Sequence, residues 1–338
     1  MLMGRMTLNA RNDVVLGVDI GGTNTVLGLV NRDGQCFGQC TMPTNAHQSA
    51  TDYFRRLNRK ADEMLQSVRA QVRLMGVGIG APNANYYKGT IERPPNLSWG
   101  YVNVVEEVHR FFDLPVVVTN DANAAAIGEM LFGAAQGMKD FIVITLGTGL
   151  GSGIVSGGSL VYGADGFAGE IGHTIVDPEG RECGCGRRGC LETYASATGI
   201  RRTAMELLAE RTDASELRSF SYERLTGKDI YDAAMRGDRV ALEAFEVTGR
   251  ILGMKLADSV AHTSPEAIIL FGGLAKAGEL IFKPTKRYLE EYLLGIFKNK
   301  VQLLPSGLPE GNSAVLGAAG LIWNELNTVD DQKINTLA

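Results

Sequence analysis

The chain has 338 residues, of which 45% are hydrophobic and 21% are charged, which is the composition of an ordinary globular protein and excludes disordered, collagen-like and disulfide-rich classes. Its length is about twice the ~150-residue prior for one domain, so we expect two domains. A net charge of −5 argues against a nucleic-acid partner. No window approaches 18 uninterrupted apolar residues and the N-terminus lacks an export-signal pattern, so we expect no membrane association and a cytoplasmic location.

The predicted elements alternate between strands and helices along the chain. We treat residues 1–13 as a leader with no fold of its own. Two strands follow at 14–20 and 25–30, joined by Gly21-Gly22-Thr23-Asn24 in a tight hairpin turn. The remaining predicted elements are an amphipathic helix at 53–72, strands at 74–79, 116–119, 141–146 and 267–271, and helices at 122–132, 239–261 and 313–325. This alternation indicates an α/β fold.

Three of the predicted strands end in glycine clusters. The clusters are Gly21-Gly22-Thr23, Gly147-Thr148-Gly149 and Gly272-Gly273. Such turns let consecutive backbone N–H groups point into one concavity that holds an anion. A single turn of this kind is more often plain hairpin geometry, but three in one chain favour phosphate binding. Their spacing matches neither the P-loop nor the Rossmann fingerprint, so a nucleotide site would be of another type.

Three of the five cysteines lie within eight residues of one another. Cys183, Cys185 and Cys190 are separated by glycines and follow His173 in the chain. One histidine and three cysteines complete the tetrahedral shell of a structural Zn²⁺ ion. The alternative is a set of buried or reactive thiols without metal. The other two cysteines are assigned no function: Cys36 and Cys40.

These motifs resemble those of a known protein family. The segment 19–25, the pair Asn120-Asp121 and the Gly147 turn are similar to those of sugar kinases in the actin-like ATPase superfamily. Glu-X-Gly-His at 170–173 and Cys-X-Cys-Gly-X-X-Gly-Cys-X-Glu at 183–192 resemble the two signatures of the ROK family (repressors, open reading frames and kinases). The similarity extends from about Val14 to Glu325, which is nearly the whole chain.

The resemblance implies an actin-like ATPase (ribonuclease H-like) two-domain sugar kinase fold with a zinc-binding loop, whose domains close over ATP and substrate. We expect a small α/β domain of residues 14–120 and 314–338, and a large α/β domain of residues 121–313 that carries the zinc loop. A hinge is expected near Asn120, with the last helix returning to the first domain. A homodimer is implied by the resemblance alone.

The resemblance also implies roles for individual residues. The residues expected to bind ATP are those of the glycine turns and their flanks: Asp19, Gly21, Gly22, Thr23, Asn24, Gly147, Thr148, Gly149, Gly272 and Gly273. Asp19 would face the Mg²⁺-bound phosphates, and Gly272-Gly273 would lie beside the adenosine. The residues expected to contact the sugar are polar: Asn83, Asn120, Asp121, Glu170, His173 and Glu192. The zinc ligands would be His173, Cys183, Cys185 and Cys190, with the second ring nitrogen of His173 directed toward a sugar hydroxyl.

Phosphoryl transfer to an alcohol needs a group that accepts the hydroxyl proton. Asp121 follows the predicted strand 116–119, at the carboxyl end where ligands of α/β proteins bind, and is the candidate general base. From residue type alone, capping of the following helix is the more frequent role of such an Asp. The adjoining Asn120 and the family resemblance favour the base. The segment Asn96-Leu97-Ser98-Trp99 resembles a loop that covers the sugar, and a surface loop with a half-buried Trp is an open alternative.

The activity implied by the resemblance is ATP- and Mg²⁺-dependent phosphorylation of a hexose. D-glucose is favoured because residues 191–200 resemble the glucokinases of the family, and N-acetylmannosamine or N-acetylglucosamine is the alternative substrate. A ROK repressor is disfavoured, because only 13 residues precede the first predicted strand and a helix-turn-helix needs more. A catalytically inactive sugar sensor is disfavoured because Asp121 and the glycine turns are intact.

Overall fold

The computed structural model describes residues 11–95 and 97–336. These residues form two compact units of mixed helix and strand. The first unit comprises the described parts of Met1–Gly133 and Leu308–Ala338, and the second comprises Ala134–Gly307. Asp121–Gly133 therefore belongs to the first unit, whereas the sequence-based division assigned it to the second domain. The proposed hinge near Asn120 stays a prediction.

The strands of the described residues divide between the two units. Those of the first unit are β1 (Asn12–Ile20), β2 (Asn24–Asn31), β3 (Cys36–Pro43), β4 (Val72–Gly80), β5 (Ala84–Asn85), β6 (Thr90–Glu92), β7 (Tyr101–Asn103) and β8 (Val116–Thr119). Those of the second unit are β9 (Phe141–Leu146), β10 (Leu150–Ser156), β11 (Ser159–Leu160), β12 (Ala267–Phe271) and β13 (Gln302–Pro305).

The helices follow the same division. Starting from the N-terminus they are α1 (Ala50–Val68), α2 (Val104–His109), α3 (Asp121–Phe132), α4 (Ala197–Glu210), α5 (Gly227–Met235), α6 (Arg239–Thr263), α7 (Glu279–Tyr292) and α8 (Ser313–Thr336). Helices α1 to α3 and α8 belong to the first unit, and α4 to α7 belong to the second.

The two units repeat one strand arrangement. The sheet of the first unit has the order β3-β2-β1-β4-β8, and that of the second has the order β11-β10-β9-β12-β13. In each sheet three antiparallel strands are followed by two that run parallel to the third. The first unit adds a small antiparallel sheet, β5-β6-β7. The expected two-domain α/β fold is thereby confirmed, and the repeat lies in topology, since no sequence repeat is visible.

Helix α1 shows how the sequence pattern determines packing. Ser49 caps its N-terminus by accepting a hydrogen bond from the Asp52 N–H. Tyr53, Phe54 and Leu57 are buried in the core of the first unit because they fall on one face at helical spacing. In the second unit, α6 places its own apolar face in a separate core that also takes residues from β9 and β12.

The predicted C-terminal boundary of the leader, residue 13, is wrong. Residues 1–10 lie outside the described residues, but Asn12 and Asp13 are the first residues of β1. Their polar side chains gave no strand signal, and the pairing of β1 with β4 recruits them. The Asp13 carboxylate also forms a two-point ion pair with Arg73 at 2.7 Å.

Candidate active site and metal centre

The candidate catalytic carboxylates lie at one edge of the sheet in the first unit. Asp19 on β1 is in register with Gly80 on β4, and Gly80 is in register with Thr119, the last residue of β8. Because these strands are parallel, their carboxyl ends meet at the same edge. A Cβ at Gly80 would lie 3.6 Å from the Asp121 Cα and 3.7 Å from an Asp19 carboxylate oxygen. The fold therefore brings Asp19, Asn120 and Asp121 together.

Asn120, rather than Asp121, is the N-cap of α3. The Asn120 Oδ1 accepts a hydrogen bond from the Ala122 N–H at 2.7 Å. Asp121 is the first helical residue, and its Oδ1 lies 2.8 Å from the same nitrogen. Asp121 is exposed to solvent, as a base that reaches a substrate hydroxyl must be. Asn120 therefore caps α3. The sequence alone had left capping open as a role for Asp121.

The two carboxyl groups at this edge are both made more basic by their surroundings. Desolvation, and then the charge of Asp121, raises the pKa of Asp19 from 3.8 to about 7. Although Asp121 keeps solvent-accessible surface, the protein around its carboxylate desolvates it and raises its pKa, against the opposing hydrogen bond from Ala122. Two neighbouring carboxylates repel each other when both are ionised, so protonation of one of them or a cation close by is favourable. The pair therefore suits both proton acceptance and the neighbourhood of a metal ion.

The first glycine turn has the predicted hairpin form. It joins β1 to β2 and is closed by the Gly21 N–H, which donates to the Asn24 carbonyl at 3.0 Å. Thr44 braces the turn from the end of β3, because its N–H donates to the Thr23 carbonyl at 2.9 Å and its hydroxyl to the Gly21 carbonyl at 2.7 Å. Sequence reasoning missed Thr44, since nothing in the local pattern links residue 44 to this turn.

The second glycine turn joins β9 to β10 and is held from outside. The Ala197 N–H donates to the Gly147 carbonyl at 2.9 Å. The Glu192 Oε2 accepts a hydrogen bond from the Leu150 N–H at 3.0 Å. A Cβ at Gly149 would overlap that carboxylate oxygen, so a side chain at this position would displace it. Glu192, predicted as a sugar ligand, thus also fastens this turn.

The third glycine turn lies beside the second. Gly272 has a φ of 101°, and a Cβ there would collide with the backbone of Leu146, so only glycine fits. The Leu274 N–H donates to the Leu146 carbonyl at 3.1 Å. Both turns border one cavity of about 540 Å³. Its lining is Leu146, Gly147, Thr148, Ala197, Gly227, Lys228, Tyr231, Gly273, Leu274, Lys276 and Ala277.

This cavity unites two motifs that the sequence analysis had associated only by resemblance. Lys228 and Tyr231 on α5 also line it, and neither was predicted. No predicted element covers residues 227–235, and only the packing of α5 brings Lys228 and Tyr231 to the turns. The cavity combines backbone N–H groups, lysines and apolar surface, which are groups that suit a nucleotide.

The candidate zinc ligands form one cluster in the second unit. The ligand atoms of His173, Cys183, Cys185 and Cys190 all lie within 4.8 Å of one another. The Cys183 Sγ is 3.7 Å from the His173 Nδ1, and the Cys185 Sγ is 3.6 Å from the Cys190 Sγ. Three thiols and one imidazole are the donor set of a closed tetrahedral zinc site, so the cluster could hold this metal.

The loop that carries the cysteines is built to bring them together. The Cys183 N–H donates to the Arg187 carbonyl and the Gly186 N–H to the Cys183 carbonyl, which closes a tight turn around Cys185. Burial raises the pKa of Cys185, but hydrogen bonds from Arg187 and the neighbouring thiols outweigh it and lower the pKa to about 6. A thiolate is the form that binds metal.

The two ring nitrogens of His173 face different partners. Nδ1 lies toward Cys183, whereas Nε2 is 3.9 Å from the Glu170 Oε2. Glu170 immediately precedes the short 3₁₀ helix Ile171–His173. A metal held through Nδ1 would fix the ring so that Nε2 stays beside this carboxylate. This arrangement is compatible with the predicted double role of His173.

Two of the weaker predictions concern residues that make structural hydrogen bonds. The Asn83 Nδ2 donates to the carbonyls of Glu92 at 3.2 Å and Arg93 at 3.1 Å, so its amide holds the β5–β6 region. Asn96 lies outside the described residues. Trp99 is buried rather than half-buried, and its Nε1 donates to the Gln48 carbonyl at 3.1 Å. The substrate roles of Asn83 and of the 96–99 loop stay predictions.

Comparison with known proteins places the chain in a family. The model of the ROK family matches residues 15–325. The chain belongs to the ROK family. It is 36% identical over 322 residues to a glucokinase of Halalkalibacterium halodurans, with 93% of this chain and 96% of the relative covered.

Solved ROK structures have the same fold. A ROK-family glucokinase from Streptomyces griseus in complex with glucose and AMPPNP is 36% identical, with a TM-score of 0.77 and coverage of 91% of this chain and 98% of that one. A ROK-family transcriptional regulator, a homologue of the E. coli MLC protein, has a TM-score of 0.82 at 28% identity, with coverage of 92% and 78%. The ROK fold thus occurs in both kinases and regulators. In this chain, none of the described helices combines the length and apolar character needed to cross a bilayer.

Proposed function

We propose that this ROK protein is an ATP-dependent hexose kinase that converts D-glucose into glucose 6-phosphate. The observation that carries the proposal is the carboxylate pair Asp19 and Asp121 at one sheet edge of the first unit, where β1 also enters the Gly21 turn. The glucokinase of H. halodurans and the glucose and AMPPNP complex of the S. griseus enzyme support the choice of sugar and phosphoryl donor.

Asp121 is the proposed general base. As the sugar 6-oxygen attacks the γ-phosphorus, the Asp121 carboxylate takes the hydroxyl proton, and the bond from phosphorus to the bridging oxygen of ADP breaks. The raised pKa of Asp121 makes it a stronger proton acceptor than an ordinary aspartate. Asn120 fixes the start of α3 and thereby the position of Asp121.

The glycine turns are the proposed phosphate sites. Backbone N–H groups of Gly22 to Asn24 and of Thr148 and Gly149 would donate to phosphate oxygens, while the N–H groups of Gly21 and Gly147 close the two turns by donating to the Asn24 and Gly149 carbonyls. The 540 Å³ cavity beside Gly273 would hold the adenosine. Mg²⁺, when bound, neutralises charge on the phosphates. Asp19 is the proposed side chain facing the metal-bound phosphates, a role that matches its position at the end of β1.

The sugar contacts are proposed for side chains that carry several hydrogen-bonding groups: Asn120, Asp121, Glu170, His173 and Glu192, with Asn83 as a weaker candidate. Zinc held by His173 and the three cysteines would have a structural role, because its four ligands leave no open position. It would keep Glu170 and His173 in place for the sugar.

The remaining parts of the proposal come from the family resemblance. Closure of the two domains, with a hinge near Asn120, would expel water from the reaction. We propose a homodimer in the cytoplasm, where ATP is available and thiols stay reduced, with a place in carbohydrate metabolism.

A coupled assay of ADP release tests the proposed function. Purified protein with Mg-ATP is given glucose, N-acetylglucosamine, N-acetylmannosamine, fructose or allose, each with and without prior zinc chelation. A strong preference for glucose supports the proposal. Preference for an N-acetyl sugar would transfer the substrate to that class, and absence of turnover with every sugar would overturn the kinase in favour of a sensor.

A further inference from the structure

Three buried hydroxyl groups connect the first glycine turn to the core of its unit. The Thr44 hydroxyl, directly after β3, donates to the Gly21 carbonyl at 2.7 Å. The Thr25 Oγ1 on β2 lies 3.0 Å from the Thr44 Oγ1 and 2.8 Å from the phenol oxygen of Tyr53 on α1. Each of the three hydroxyl-bearing residues is 0% exposed, so bulk water does not compete for these hydrogen bonds.

The carbonyl at the end of this chain fixes the direction of every hydrogen bond in it. A carbonyl oxygen has no proton to give, so the Thr44 hydroxyl donates its only proton to Gly21. The proton between Thr44 and Thr25 is then that of Thr25, and the proton between Thr25 and Tyr53 is that of the phenol. Burial raises the pKa of Tyr53, so the phenol keeps the proton that it donates. Hydrogen bonds aligned in one direction in this way strengthen one another.

Thr44 determines the orientation of two peptide units in the turn. Its hydroxyl holds the Gly21 carbonyl, and its N–H holds the Thr23 carbonyl at 2.9 Å. In a trans peptide unit the C=O and the following N–H are antiparallel. The N–H groups of Gly22 and Asn24 therefore point away from Thr44, and both residues keep solvent-accessible surface. They are among the N–H groups proposed above to donate to phosphate oxygens.

The Tyr53 side chain is itself held in one position. Its ring packs against Phe54, with centroids 5.1 Å apart, and against Trp99, with centroids 4.8 Å apart. Arg56, three residues further along α1, donates to the Thr44 carbonyl at 3.0 Å. Helix α1 thus anchors Thr44 twice, at its backbone through Arg56 and at its hydroxyl through the chain that begins at Tyr53.

We propose that Tyr53 is a positioning residue for phosphoryl transfer, which acts through Thr25 and Thr44 to aim the Gly22 N–H at the nucleotide phosphates. Since Tyr53 has no exposed surface, it can influence the nucleotide only through its neighbours. An N–H group that is already aimed needs no reorganisation when charge arrives, which is the condition for strong electrostatic stabilisation. The inference rests on the proposed function of the Gly21 turn.

Titration calorimetry of the full chain with Mg-AMPPNP and with glucose tests the role. Tyr53→Phe removes the hydroxyl and keeps the ring, and it should weaken Mg-AMPPNP by about threefold or more while the glucose Kd stays within about twofold. Thr44→Val, similar in shape but without a hydroxyl, should weaken Mg-AMPPNP about tenfold, whereas Thr44→Ser keeps the hydroxyl and should bind like the wild type. Tyr292→Phe removes a phenol that is 47% exposed in the second unit and is the control.

A double variant tests whether Tyr53 acts through Thr44. If it does, the Mg-AMPPNP Kd of Y53F/T44V should equal that of T44V, because the chain is already broken at its last step. A further loss in the double variant as large as that of Y53F alone would overturn the chain, as would an unchanged Kd in Y53F. Equal weakening of glucose and Mg-AMPPNP in Y53F would indicate general loosening of the unit and would also overturn the positioning role.

Hydrogen exchange in the ligand-free protein separates this proposal from the proposed function. The Gly21 N–H donates to the Asn24 carbonyl, so its exchange reports on the order of the turn. Mass spectrometry of a peptide that covers the β1–β2 turn should show faster exchange in Y53F and T44V than in wild type and Y292F. Unchanged exchange in Y53F would overturn the chain. Faster exchange in the variants of a protein that does not bind Mg-AMPPNP would instead overturn the nucleotide role of the turn.

Discussion

The Glu192 carboxylate accepts a hydrogen bond from the backbone N–H of Leu150, with Oε2 3.0 Å from the nitrogen. Its other oxygen lies 3.6 Å from the Cys183 Sγ. One side chain therefore contacts both the candidate metal cluster and the glycine turn proposed to bind phosphate. The contact was invisible in the sequence, because residues 150 and 192 belong to separate motifs.

Substitution of Glu192 should separate its two proposed roles. Glu192→Ala removes the acceptor of the Leu150 N–H and should weaken Mg-AMPPNP about tenfold, the worth of one hydrogen bond to a charged group. Glu192→Gln keeps an amide oxygen at this position, so it should preserve nucleotide affinity while weakening glucose. Titration calorimetry with each ligand measures both constants. Glu179→Gln, at an exposed glutamate of the same unit, is the control. Equal nucleotide affinity in E192A and wild type would contradict the turn-fastening role.

Removal of the Asp121 carboxylate should abolish most turnover without disturbing the fold. Asp121→Asn retains an oxygen for the Ala122 N–H but cannot accept the hydroxyl proton, so kcat should fall about 10² to 10⁴-fold. The glucose Kd should change less than about threefold, since proton acceptance belongs to the transition state. Steady-state kinetics and glucose titration test this, with the exposed Asp113→Asn as control. Near-normal kcat in D121N would remove Asp121 from the base role.

The raised pKa of Asp19 makes stability depend on pH in a defined direction. Its pKa is about 7 in the folded state against an ordinary 3.8, so between these values the folded protein holds a proton that the unfolded chain has lost. Stability from this group is therefore full below pH 4 and is lost as the pH rises toward 7, by at most about 4 kcal/mol.

Asp19→Asn removes this dependence. In ligand-free protein, the Tm of D19N relative to wild type should increase from pH 5 to pH 8, as measured by differential scanning fluorimetry. D113N should show no such trend. A difference between D19N and wild type that stays constant across this range would show that Asp19 ionises normally.

Loss of one thiol should release the metal. Cys185→Ser should lose stoichiometric zinc, measured by mass spectrometry of the purified protein, because three remaining ligands do not close a tetrahedral site. We expect its Tm to fall by roughly 2–4 °C for each kcal/mol lost, and glucose to bind more weakly because His173 is no longer fixed. Cys36→Ser, outside the cluster, should retain both properties. Full zinc occupancy in C185S would discredit the ligand assignment.

Local signals were enough for much of the fold. The hairpin β1–β2, the helix α1 and the pair β8–α3 follow from periodicity, capping and glycine turns that lie within a few residues. Strands β3 and β10 were missed as separate elements, because β3 is half-exposed and β10 is rich in glycine. Whether these segments form strands depends on their neighbours in the sheet, which the β-propensity of single residues does not take into account.

The sequence by itself determined which chemical groups the protein contains: the carboxylates, the glycine turns, and a histidine with three cysteines at a metal-binding spacing. Tertiary structure alone decided which of these meet. The parallel register of β1, β4 and β8 brings Asp19 beside Asp121, and the packing of β9 against β12 brings two glycine turns to one cavity. The physical reason is that residue type and local spacing fix conformation over a few residues, whereas contacts between distant residues depend on how sheets pair and cores pack.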